Sequence, residues 1–100
     1  MKALERDLFI VKIVTYRVRQ TIMGMMKEKE SLTEFYFTNL GLAVKNTNKY
    51  LSEKYSNDYK INQRTARLHV KTRNQVQKKW NEKGRTIQVR IIRHFMNRDL

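Results

Sequence analysis

Apolar and polar residues do not alternate uniformly along this chain; the period changes from one stretch to the next. Leu4, Leu8, Val11, Thr15, Val18, Ile22 and Met25 fall at alternating spacings of four and three. That spacing predicts a helix over 3–29 with a heptad-like seam for another helix. A strand competes for part of the stretch, because Ile13-Val14-Thr15-Tyr16-Arg17-Val18 is rich in branched and aromatic residues that fit a pleated surface. The seam persists for three heptads, so helix is the favoured reading, with Gly24 weakening its last turns.

Ser31-Leu32-Thr33-Glu34 reads as a capping box opening a second helix. Behind it Leu32, Tyr36, Leu40, Ala43, Thr47 and Leu51 lie on one face, widened by Phe35, Val44, Tyr50 and Tyr55. A stripe that wide faces a core. The helix is expected to end near Tyr55, where Ser56-Asn57-Asp58 supplies turn chemistry. A third helix is expected from Asn62 as N-cap to about Lys83, with Gly84 just past its end. Its inward line is Ile61, Thr65, Leu68, Thr72, Val76 and Trp80. In Thr86-Ile87-Gln88-Val89-Arg90-Ile91 the period falls to two, which predicts a half-buried strand.

Charge adds a functional dimension to this pattern. Residues 59–98 hold twelve Lys and Arg and one acidic residue, Glu82: 12 − 1 = +11 of the +13 carried by the whole chain. Such a density points to an anionic partner, nucleic acid first. The opposite face of the third helix carries Arg64, Arg67, Lys71, Asn74, Gln75 and Lys78 at spacings of three and four. Arg can grip guanine edges, Asn and Gln adenine edges, and Lys phosphates. A charged stripe is ordinarily a solvated surface, but this one lacks the interspersed Glu that would make i,i+4 pairs. Arg85, Arg90 and Arg93 accompany the strand as candidate phosphate contacts.

Leu51-Ser52-Glu53-Lys54-Tyr55, a turn, and then Ile61-Asn62-Gln63-Arg64-Thr65-Ala66-Arg67-Leu68-His69-Val70 resemble the two-helix core of winged helix-turn-helix domains. Lys83-Gly84-Arg85 with the strand behind it is similar to the passage from the recognition helix into the wing. Two features depart from that family: the turn at 56–60 is long, and the stretch from Thr65 to Gly84 exceeds a usual recognition helix by about two turns. The resemblance spans 32–92. It implies a mainly α fold with a small β element, a winged-helix-like domain over 31–100 behind a long N-terminal helix at 1–30. It also implies that the start of the third helix enters a DNA groove, with Arg64, Arg67, Lys71 and Asn74 as contacts and Arg85 and Arg90 on phosphates.

The expected function is therefore a small duplex-DNA regulator or architectural protein, cytoplasmic or nucleoid-associated, dimerising through the N-terminal seam. An RNA-binding protein such as a small ribosomal component shares the charge and size. A helical assembly protein with an acidic partner is the third reading. Enzymatic chemistry is not expected: there is no cysteine and no glycine-rich phosphate loop, His69 and His94 lack metal-ligand spacing, and the carboxylates are scattered. No cofactor or metal is expected, and no apolar run approaches the roughly 20 residues of a membrane helix. Met23, Met25 and Met26 are read as core or dimer contact, or as an adaptable binding surface.

Overall fold

The computed structural model describes residues 6–96. Its elements are β1 (Arg6–Thr21), β2 (Gly24–Phe37), α1 (Leu40–Lys54), α2 (Gln63–Arg73), β3 (Gln75–Glu82) and β4 (Arg85–Met96). The four strands form one antiparallel sheet in the order β2-β1-β4-β3. The fold is thus mainly β. The mainly α, winged-helix-like domain behind a long N-terminal helix is overturned.

The N-terminal segment is a strand because its long-range partners reward a period of two. Phe9, Val11, Ile13 and Thr15 all point to one face and are buried. They pair across the sheet with Arg93, Ile91, Val89 and Ile87. The apparent seam mixes faces: Val11 and Thr15, four apart, share the buried side, while Leu8 and Val18 fall on the other. Leu4 lies outside the described residues. Gly24, with φ +124°, closes the β1–β2 hairpin, and β2 follows where the second helix was expected to begin. Ser31 is no N-cap; its Oγ lies 2.6 Å from Thr15 Oγ1 across the strands. Glu34 accepts from the Tyr36 hydroxyl at 2.6 Å. The helix starts instead at Leu40, where Asn39 Oδ1 accepts the Leu42 amide, and it ends at Tyr55 as expected.

Both helices lie on one face of the sheet. Ala43, Val44, Thr47 and Leu51 of α1, and Ala66 and Val70 of α2, are buried there with Ile61. They close over Val11, Ile13, Val76, Ile87, Val89 and Ile91. Phe35 and Tyr50 meet edge to face at 5.3 Å, joining α1 to β2. Ile87, Val89 and Ile91 are inward, as their alternation predicted. Leu8, Ile10, Lys12, Val14 and Tyr16 of β1 occupy the face without helices and are half-buried.

Beyond the sheet, β1 and β2 continue as a two-stranded arm. The last tie from β1 to the β3–β4 turn is the Val18 amide donating to Gly84 O at 2.9 Å. Past it, Val18–Thr21 pairs only with 24–27. Thr15 pairs with Ser31 but Tyr16 with Lys29, so Glu30 is an extra residue, a bulge at the root of the arm. The overall extents of 61 × 29 × 22 Å reflect this projection.

Candidate nucleic-acid interface

The helix expected over 62–83 is two elements. Asn62 does cap it: its Oδ1 accepts the amides of Arg64 (2.9 Å) and Thr65 (3.2 Å). The end comes at Asn74, whose left-handed backbone (φ 59°, ψ 13°) donates its amide to Val70 O. Asn tolerates that conformation better than most L-residues. The chain then turns into β3, and Arg93 N donates to Asn74 O at 2.8 Å. Gly84 (φ +67°) serves the β3–β4 turn, not a helix end.

This division redistributes the nine expected contact residues. Arg64, Arg67 and Lys71 share the exposed face of α2, opposite buried Ala66 and Val70. Asn74 is the C-cap. Gln75 and Arg90 sit together on the face of the sheet away from the helices, with Arg90 Nη2 donating to Gln75 Oε1 at 3.0 Å. Lys78 is on the helix-bearing side, 5.5 Å above the Trp80 ring, and its Nζ donates to Lys60 O at 3.0 Å. Arg85 makes two bonds to Glu30, at 3.1 and 3.3 Å. Arg93 donates to Asp7 at 2.8 Å and stacks 4.5 Å over Phe95. The last two are therefore internal partners of carboxylates, a role that charge counting in the sequence cannot separate from phosphate binding.

Among the described residues the ion pairs are confined to the strands: Arg17 and Arg85 with Glu30, Arg19 with Glu28, Arg85 with Glu82, and Arg93 with Asp7. Residues 59–81 contain seven Lys and Arg and no Asp or Glu. Among the described residues none of these seven forms a salt bridge. Lys60, Arg64, Arg67, Lys71 and Lys78 thus contribute uncompensated charge to the helix-bearing side. α2 is held in place from both ends. Asn48 binds the Ile61 backbone just before it, Gln63 Nε2 donates to Gly41 O at 3.2 Å, and Asn74 anchors its end.

Two features escaped the sequence reading. Lys12 lies opposite Arg90 across β1–β4, with Gln77 on the far side of Arg90 in β3, all within the uncovered sheet face. The arm also sets Ile22 and Met23 at its tip, a placement for which Gly24 was the only signal; Met23, Met25 and Met26 are exposed there, so the methionine cluster is not core. Among the described residues no group of His, Asp and Glu could hold a metal ion, and no helix is long and apolar enough to cross a membrane.

No family model, curated protein or solved structure matches this chain.

Proposed function

We propose that this is a small basic nucleic-acid-binding protein that grips duplex DNA with the exposed face of α2. One observation carries the reading: residues 59–81, which span α2 and all of β3 but its last residue, have seven cations and no acidic residue, and none of the seven forms an ion pair among the described residues. Cations that stabilise a fold are ordinarily balanced by neighbours, whereas these repel one another until an anion arrives. Arg64, Arg67 and Lys71 lie at i, i+3 and i+7, so they form one line along a helix about 16 Å long. Such a helix fits a major groove about 12 Å wide. Asn74 turns out of the helix with a left-handed backbone and Gln75 is held by Arg90, which leaves base reading to Arg64 and Arg67 within α2.

RNA is the second reading, favoured by a different surface. The uncovered sheet face presents Tyr36, more than half exposed, with Lys12, Lys79 and Arg90, and tyrosines on a sheet can stack on unpaired bases. Against it, Glu34 holds the Tyr36 hydroxyl and pairs opposite Lys12.

Titration of labelled duplex DNA, structured RNA and single strands at several salt concentrations tests both. Duplex should bind best, with affinity falling steeply as salt rises. Binding indifferent to salt would sink the proposal, and a clear preference for single strands or RNA would move the site to the open sheet face.

A further inference from the structure

Leu68, expected on the inward line of the helix, stands instead at the outer pole of α2, 60% exposed. At about 100° per residue it lies about 180° round the helix from the midpoint of Ala66 and Val70, the two residues that α2 buries. A ligand laid on α2 therefore meets Leu68. A lone exposed leucine ordinarily needs no explanation, but this one sits within a face of uncompensated charge. Arg64, Arg67 and Lys71 run along one side of it, and Thr65 and Thr72 along the other, all exposed. Thr72 spends its hydroxyl proton on the Leu68 carbonyl at 2.8 Å, so it offers a ligand no donor there.

We propose that Leu68 specifies a base in this interface: it packs on the 5-methyl group of a thymine in the major groove. The inference rests on the duplex reading of α2 and deepens it from charge to base identity. An apolar side chain among cations fits a ligand that is anionic yet carries an apolar group where the pole of the helix reaches. In the DNA major groove the thymine methyl is that group, and apolar side chains contact it. The other three bases present donors and acceptors there but no methyl, and Leu68 would cover those polar groups without pairing them.

Spacing ties this contact to the arginine before it. Arg64 and Leu68 are four residues apart, about 6 Å along the helix axis, slightly less than two base-pair steps of about 3.4 Å. Arg64 can thus reach a guanine about one or two steps from the thymine. Lys71, a turn beyond Leu68, is left for a phosphate. The same contact disfavours RNA, whose A-form major groove is too deep and narrow for side chains to read and whose uracil carries no methyl. A purely apolar partner would have to strip water from Arg64 and Lys71 beside Leu68 without pairing either charge.

The test begins by enriching bound duplexes from a random-sequence DNA pool with the full chain. The enriched site should hold a thymine about one or two positions from a guanine. Each thymine of that site is then replaced singly by deoxyuridine, which removes only the methyl group. At one position the native protein should lose about fourfold in affinity, the factor that one buried methyl group supplies. Leu68→Ser should bind the thymine and deoxyuridine duplexes alike, and Leu68→Met should keep the difference. Both variants should match the native chain by circular dichroism, because Leu68 lies outside the core. An enriched pool with no preferred sequence, a site indifferent to every deoxyuridine, or a deoxyuridine effect equal in the native chain and Leu68→Ser would overturn the inference and leave the α2 reading standing. Failure of the native chain to bind duplex at all, or tighter binding to structured RNA, would overturn both. If Leu68→Ser instead abolishes a self-association seen by sedimentation while deoxyuridine has no effect, Leu68 docks a second copy and the inference is wrong.

Discussion

Asn48 holds Ile61 by both of its backbone groups: Oδ1 accepts the Ile61 amide at 2.8 Å, and Nδ2 donates to the Ile61 carbonyl at 3.0 Å. Ile61 is itself buried, so its peptide groups have little access to water. This clamp sets where the chain leaves the α1–α2 connection and hence how α2 is presented. Asn48→Ala should destabilise the protein by about 1–3 kcal/mol, the cost of unpaired polar groups in the interior. Asn48→Asp, which keeps the acceptor but loses the donor, should fall between. Urea unfolding at neutral pH measures both; equal stability of Asn48→Ala and the native chain would show that water replaces the clamp.

The junction between α2 and β3 depends on the left-handed backbone of Asn74. Asn74→Gly should be tolerated, whereas Asn74→Ala should cost about 1 kcal/mol, because its Cβ is strained at positive φ. Thermal melts of the two variants give the comparison directly. Asn74→Ala as stable as Asn74→Gly would mean the helix end had shifted.

Glu30, the bulge residue, faces both Arg17 and Arg85. Loss of solvent alone would raise its pKa. The hydrogen bonds and positive charge of Arg85, seconded by Arg17, outweigh that and hold it below the usual value of 4.5. A carboxylate with a depressed folded pKa contributes stability that is present above its unfolded pKa and lost as pH falls through the folded one. Glu30→Gln should therefore be less stable than the native chain at pH 7. That gap should narrow below about 4.5 as the native Glu30 protonates. A gap of constant size across acid pH would show that the charge of Glu30 contributes nothing.

Arg67 and Arg93 should separate cleanly, although both were expected on nucleic acid. Removing Arg67 should lower the log–log salt slope of duplex binding by about 0.9 if it neutralises one phosphate, with little effect on stability. If Arg67 reads a base, base preference should relax instead. Arg93→Ala should leave the slope alone and destabilise the fold by about 1 kcal/mol, since its guanidinium serves Asp7. Salt titrations and urea melts on the same two variants decide it. A slope change for Arg93→Ala would mean that the pair with Asp7 opens when the ligand binds.

What was legible in the sequence was local. Asn62 as a cap, the end of α1 at Tyr55, and the inward triplet Ile87, Val89 and Ile91 all follow from side chains acting on their own neighbourhood. The concentration of charge in 59–81 is likewise a property of composition that no fold alters. The candidate surface on α2 was half visible: Arg64, Arg67 and Lys71 stay together because they lie within one unbroken helix. Gln75, Lys78, Arg85, Arg90 and Arg93 scatter because their directions depend on strand pairing.

The fold itself was decided only in three dimensions, and the reason is an ambiguity of period. Residues four apart share a face in a helix and also in a strand. Val76 and Trp80, or Val11 and Thr15, therefore fit both. What breaks the tie is the partner. β1 pairs with β4 roughly eighty residues away, Val11 opposite Ile91 and Ile13 opposite Val89, and β3 pairs with β4 in turn. Those contacts bury branched side chains that a lone helix would leave half-wet, and no local pattern announces them. The same pairing stops at Arg85, where β4 begins, and so it leaves the β1–β2 arm, with Ile22 and Met23 at its tip, standing alone.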